Sequence, residues 1–344
     1  MHKDFSEEPE WQENKQFKRW NVDFYGGDLK GIEMKLPYLN ELGVTCIYLN
    51  PIFEAHSNHR YDTADYMKID PLLGDYDDFV SLCKEADKYG MKILLDGVFS
   101  HTGADSIYFN IYNRYPDAGA YNSKSSPYYS WFKFRKWNSD YDSWWGINTL
   151  PETNEDDESF SSYIAGEGGV VEKWLKAGAY GFRLDVADEL PDSFIVKLRQ
   201  AVKRTKADGL LLGEVWEDAS NKISHGGRRK YFAGEELDSV MNYPFRSAII
   251  RFLKTSVAED FMDSILTICE NYPPQVLCCL MNHLGTHDTE RIFSVLGGYD
   301  GENIGRAKQR TLHLDEDRKI KAEKLLRQAV VLQYTLPGVP SVYY

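Results

Sequence analysis

Arg183 and Asp185 stand two positions apart in an otherwise apolar run, Gly181-Phe182-Arg183-Leu184-Asp185-Val186. Read as a strand, the run has a period of two, so Arg183 and Asp185 share one face while Phe182 and Leu184 share the other. A guanidinium beside a carboxylate favours its charged form, and a charged carboxylate is what nucleophilic attack by an acid side chain requires. A buried structural ion pair leaves the same signature, so the rest of the chain has to decide between the two. Glu214 offers a second acid. It sits among Gly213, Val215 and Trp216, apolar surroundings that favour the protonated form. Adjacent strands lie about 4.8 Å apart. Two carboxyls roughly 5–5.5 Å apart, one charged and one protonated, are the arrangement of retaining glycoside hydrolysis. Asp288 is a third acid at the end of an expected strand.

Short β-branched apolar runs are expected as strands over 44–52, 91–98, 181–186, 209–216, 239–243, 276–284 and 340–344. Helical spacing separates them over 31–42 (with Pro37 its weak point), 75–89, 170–176, 192–206, 245–269 and 315–335. Strands alternating with helices imply parallel βαβ units. Asn50, Asp96, Asp185, Glu214 and Asp288 recur at or just past strand ends, the catalytic face of a (β/α)8 TIM barrel. Seven strands are expected where a closed barrel needs about eight. Residues 1–25 offer no good strand, and no helix follows the last one, so the expectation is a barrel lacking its first strand and last helix. Residues 1–98 and 159–344 form its two parts. Residues 99–158 lack strong periodicity and are crowded with aromatics such as Tyr108, Tyr128, Trp131, Trp144 and Trp145. A structureless loop of that length is uncommon, which points to an inserted subdomain after barrel strand 3, forming one wall of a cleft.

The composition narrows the partner. A net charge of −13 repels polyanions, which argues against nucleic acid. Aromatics make up 14% of the residues, and their faces suit neutral sugar rings as well as a core. No apolar run approaches the roughly 20 residues needed to cross a bilayer, and the start of the chain lacks the apolar stretch of a signal peptide. The five scattered cysteines show neither a disulfide framework nor zinc spacing, which fits a reducing, cytoplasmic setting. No metal-ligand cluster such as H-x-H stands at a strand end.

Four separated motifs together resemble the α-amylase superfamily of glycoside hydrolases, its neopullulanase and cyclomaltodextrinase branch in particular. They are Asp96-Gly97-Val98-Phe99-Ser100-His101, Gly181 to Glu189, Gly213-Glu214-Val215-Trp216 and His287-Asp288, in the family's order. Asn58 to Tyr66 is similar to the family's loop after strand two. Leu150-Pro151-Glu152-Thr153-Asn154 is similar to the short specificity motif near the end of its inserted domain. The resemblance runs from about Val22 to Tyr344. It implies a retaining hydrolase of α-glucans such as maltodextrin, starch, pullulan or cyclodextrin, or a transglycosylase with the same trio. A non-catalytic barrel that only binds α-glucan is the rival. It implies Asp185 as nucleophile, Glu214 as acid then base, and Asp288 as the acid that binds sugar hydroxyls and helps distort the ring. It further implies His101 and His287 as donors to the sugar, Tyr61 stacking on it, Arg183 orienting Asp185, and Trp216 as a platform on the leaving side. Asp96 reads as a structural acid. Ser100 stands where many members carry a calcium-holding asparagine, so no cofactor is expected. Thr286 and Asp188 also depart from common family residues.

Overall fold

The computed structural model describes residues 24, 26–299 and 312–343. By compactness the chain divides into two units, residues 1–212 and 213–344.

In the first unit, helix Leu29–Glu41 begins at Asp28, whose carboxylate accepts from the Gly31 N–H at 2.6 Å. Helix Tyr76–Lys88 opens on a capping box in which Asp75 and Asp78 each accept from the other's backbone N–H, satisfying donors that a helix start leaves orphaned. Its apolar side (Phe79, Leu82, Cys83, Ala86) is buried. Strand Cys46–Tyr48 pairs in parallel with Lys92–Gly97, which pairs in parallel with Gly181–Leu184; Leu210–Gly213 is next in the sheet order. Gly181 is required where it stands. A Cβ there would lie 1.9 Å from the Leu210 carbonyl oxygen, so only a residue without one allows the two backbones to approach this closely. Helices Val170–Ala177 and Asp192–Thr205 complete the alternation. Trp174 anchors the core. It is fully buried, lies 5.1 Å from Phe53 and 5.6 Å from Phe79, and donates its N–H to the Tyr66 carbonyl at 2.9 Å.

Residues 99–157 hold little regular structure, a short antiparallel pair Phe134–Lys136 and Asp140–Tyr141 being their main ladder. Aromatic packing takes the place of periodicity. Tyr108 contacts Tyr128, Trp131 and Tyr163 at 5.2–5.8 Å between centroids, and Phe109 contacts Phe132 and Tyr141 at 4.9 and 4.8 Å. The segment ends at helix Glu158–Ala165, capped by Asp157.

In the second unit, the Met241 N–H beside strand Ser239–Val240 donates to the Gly213 carbonyl at 2.9 Å. Met241 bridges Met281 in parallel, and Met281–His283 pairs in parallel with Val339–Ser341. Helix Glu316–Thr335 precedes that last strand.

The expected alternation of strand and helix is thus present, with three differences. The first three residues of the expected strand over 276–284 belong to a helical turn, Pro274–Cys278, and only Met281–His283 is extended. Pro273 and Pro274 start that turn, because proline's fixed φ suits a helix start and its missing N–H suits no central strand. The expected helix over 245–269 is two helices, Tyr243–Thr255 and Ala258–Asn271, broken where Ser256 adopts a left-handed φ of 60°. The last four residues of the expected loop at 58–66 belong to strand Thr63–Ile69, which pairs antiparallel with Phe53–Ala55. The expectations about residues 1–23 and Tyr344 lie outside the described residues.

Candidate active site

Asp185 follows strand Gly181–Leu184 and is 7% exposed. Its partner is fully buried: Arg183 Nη1 donates at 2.8 Å to Asp185 Oδ1, and at 2.8 and 3.1 Å to the two oxygens of Asp96. Asp96 lies across the ladder from Arg183, its register partner, and also accepts the hydroxyls of Tyr48 at 2.5 Å and Tyr61 at 2.8 Å. Burial first, and the Asp96 charge second, hold both phenols well above their ordinary pKa, so they remain donors. Val186, the residue after Asp185, has φ 39°. A β-branched side chain rarely adopts that conformation, and such strain gathers at functional sites.

The first motif is locked to the end of the insertion. His101 bridges Glu152, the Thr102 N–H donates to Pro151 O at 3.1 Å, the Thr153 N–H to Ser100 O at 3.0 Å, and the Thr153 hydroxyl to Phe99 O at 2.6 Å. His101 is buried, with Nδ1 sharing a hydrogen bond with the Ser100 hydroxyl at 2.9 Å. Burial draws its pKa down to about 4, so at neutral pH the ring is an uncharged donor or acceptor rather than a cation. Tyr61 stacks on His59, centroids 6.0 Å apart. In the 58–66 stretch, Arg60 Nε donates to Asp70 at 2.7 Å.

Glu214, in the second unit, is 3% exposed. Its Oε1 accepts from Trp216 Nε1 at 3.0 Å and lies 3.5 Å from the Tyr243 hydroxyl. Trp216 is 47% exposed and stacks on Tyr243 at 4.2 Å, so one indole both orients the acid and leaves a face open. Tyr243 in turn packs edge-on against the buried His283 at 4.5 Å. Asp288 is more open, its side chain 42% exposed, with His287 Nε2 at 2.9 Å from Oδ2. The Thr286 hydroxyl accepts the Asp288 N–H at 3.2 Å, and the Thr286 N–H donates to the Thr289 hydroxyl at 2.9 Å. The short hydroxyl residue of the fourth motif therefore builds its turn.

Arg183, Asp185, Asp96 and Tyr61 come together in one unit, and Glu214 with Trp216, and Asp288 with His287, in the other. Reading the sequence missed Tyr48, Tyr243 and Glu189, whose carboxylate accepts the N–H groups of Trp144 and Trp145. Tyr48 at a strand end was a readable signal, whereas Glu189 and the tryptophans are too far apart in sequence to be linked by spacing. The Ser100 hydroxyl is engaged with His101, and among the described residues no group of three His, Cys, Asp or Glu is gathered.

The α-amylase catalytic domain, as a sequence family, matches residues 11–344. The chain is 38% identical to an amylopullulanase of Thermoanaerobacter thermohydrosulfuricus, over 94% of this chain and 23% of the relative. It is 35% identical to neopullulanase 2 of Thermoactinomyces vulgaris, over 93% of this chain and 49% of the relative. Among solved structures, the cyclic α-maltosyl-(1→6)-maltose hydrolase of Arthrobacter globiformis, in complex with cyclic α-maltosyl-(1→6)-maltose, superposes with a TM-score of 0.78 at 26% identity, covering 100% of this chain and 70% of that one. The type III pullulan hydrolase of Thermococcus kodakarensis gives 0.77 at 32% identity, over 92% of this chain and 52% of that one. The chain spans half or less of the length of these two curated relatives.

Proposed function

The chain belongs to the α-amylase family of catalytic domains, and we propose on that footing that it hydrolyses α-glucans with net retention through a covalent glycosyl-enzyme. The observation that carries this reading is the buried Asp185 carboxylate gripped by Arg183. A guanidinium at 2.8 Å stabilises the anion. In the proposed reaction, Asp185 attacks the anomeric carbon as the bond from that carbon to the leaving sugar's oxygen breaks. Glu214 passes its proton to that oxygen, then takes one from the water that releases the sugar from Asp185. The Trp216 N–H on Glu214 Oε1 orients the acid. Asp288, with His287 beside it, is proposed to hold sugar hydroxyls as the ring flattens. His101 and Tyr61 are proposed to contact the ring in the cleaved subsite, and Arg183 to orient Asp185.

The substrate class follows from the relatives, whose names speak of pullulan, cyclomaltodextrin and cyclic maltosyl-maltose. A (β/α)8 barrel with residues 99–158 as its insertion is the proposed frame. Retention requires the two carboxyls at roughly 5–5.5 Å, with no room for a water between them. Proton NMR of the first products from maltohexaose or pullulan tests this: the freshly released reducing end is expected as the α anomer, and a β product overturns the mechanism. Asp185→Asn is expected to cut kcat at least about 10³-fold, as loss of a nucleophile does elsewhere; retention of a tenth or more of the activity refutes the assignment. Product profiles at high substrate divide the intermediate between water and an acceptor sugar, which separates hydrolysis from transglycosylation.

A further inference from the structure

We propose that Trp144 and Trp145, fixed by Glu189, form a stacking platform for one glucose ring of the α-glucan; the proposal rests on the α-glucan reading above. Trp145 is 78% exposed, more than any other large apolar side chain among the described residues, yet it is held in place. Its ring stacks on Trp144 with centroids 5.3 Å apart and planes 25° apart. Its Nε1 donates to Glu189 Oε1 at 2.9 Å, and Trp144 Nε1 donates to Oε2 of the same carboxylate at 2.8 Å. One carboxylate thus takes one indole on each oxygen. With both N–H groups spoken for, what Trp145 offers to solvent is an apolar π-face. Its backbone is left-handed, φ 51°, a conformation that large side chains rarely adopt and that here turns the ring outward.

The platform adjoins sequence motifs already assigned to sugar. Trp144 packs against the His101 ring at 5.2 Å, and Glu189 lies four residues after Asp185. The backbone carrying the pair is pinned by a Ser143–Pro151 bridge and by the Trp144 N–H to Leu150 O at 2.9 Å. The chemistry favours a neutral pyranose, whose flat C–H face sits on an indole. The Glu189 charge disfavours a phosphorylated or acidic sugar. Glu189 acts through the indoles and is a positioning residue.

The test is calorimetric titration of maltohexaose into the full chain carrying Asp185→Asn, which holds the ligand uncleaved. Trp145→Ala in that background is expected to weaken binding about tenfold and Trp145→Phe to restore it to within about threefold, the scale of one aromatic contact. Glu189→Ala is expected to weaken binding comparably. The double variant Trp145→Ala/Glu189→Ala should be no weaker than either single one, because the two residues act as a unit. Affinity of Trp145→Ala within about twofold of its parent overturns the platform while leaving the α-glucan reading intact, and additive losses overturn the positioning role of Glu189. A parent protein that binds no maltohexaose overturns the α-glucan reading and the platform together.

Discussion

Replacing His101 by glutamine should change how stability responds to acid. The native ring is buried beside Ser100, and burial draws its pKa from 6.5 down to about 4. Between these values the unfolded chain binds the proton and the folded chain does not, so wild-type stability falls as pH falls from 6.5 towards 4. At about pH 5 an ordinary histidine is almost wholly protonated and His101 about nine-tenths neutral, a difference of roughly 0.9 proton. Integrated from about pH 7.5 to 5, this removes about 2 kcal/mol of stability, rising to about 3 kcal/mol below pH 4. Glutamine carries no proton to titrate and is close in size. Whatever packing it disturbs is the same at both pH values, so the comparison isolates the titration. At roughly 2–4 °C per kcal/mol for a unit of this size, the gap in melting temperature between His101→Gln and wild type should move by roughly 4–8 °C in the variant's favour between about pH 7.5 and 5. Scanning calorimetry at constant ionic strength measures it. Parallel melting curves for the two proteins across that range would refute the reasoning, for they would mean the native ring takes up a proton as freely as the unfolded one.

Glu155 should show the opposite slope. Burial raises its pKa to about 8, so the folded chain holds the proton between 4.5 and 8 and wild-type stability falls as pH rises through that window. Glu155→Gln should therefore gain about 3 kcal/mol on wild type between about pH 5 and 8 in urea titrations, and equal slopes for the two would count against it. Gly181→Ala should fail to fold or lose more than about 4 kcal/mol, because its new methyl meets the Leu210 carbonyl at 1.9 Å; soluble yield and far-ultraviolet circular dichroism report it, and a native-like melt contradicts the steric argument.

The second motif was legible because its chemistry is local. Arg183 and Asp185 are two residues apart, strand periodicity puts them on one face, and one guanidinium nitrogen does join Asp185 to Asp96. Helix Tyr76–Lys88 was legible for the same reason, since its cap and its apolar stripe lie within about four turns of sequence. The apolar run at 276–284 was not, because short apolar runs fit either a buried strand or a helix and only the two prolines marked the difference. Residues 99–157 were opaque for another reason. Tyr108, Trp131 and Tyr163 meet by tertiary packing, which leaves no period in the sequence. The helix Glu158–Ala165 went unread although Asp157 is an ordinary N-cap. The grip of Glu189 on two tryptophans 44 and 45 residues upstream belongs to no spacing rule at all.

Asp96 gives the site its arithmetic. A carboxylate has about four lone-pair positions, and here Arg183 contacts both oxygens while two phenols share Oδ2. Three side chains make four contacts with it, three of them on Oδ2. An acid so occupied works as a keystone, fixing the guanidinium that also grips Asp185. An amide in its place would turn an N–H towards groups that are themselves donors, so asparagine there would loosen the hold on Arg183.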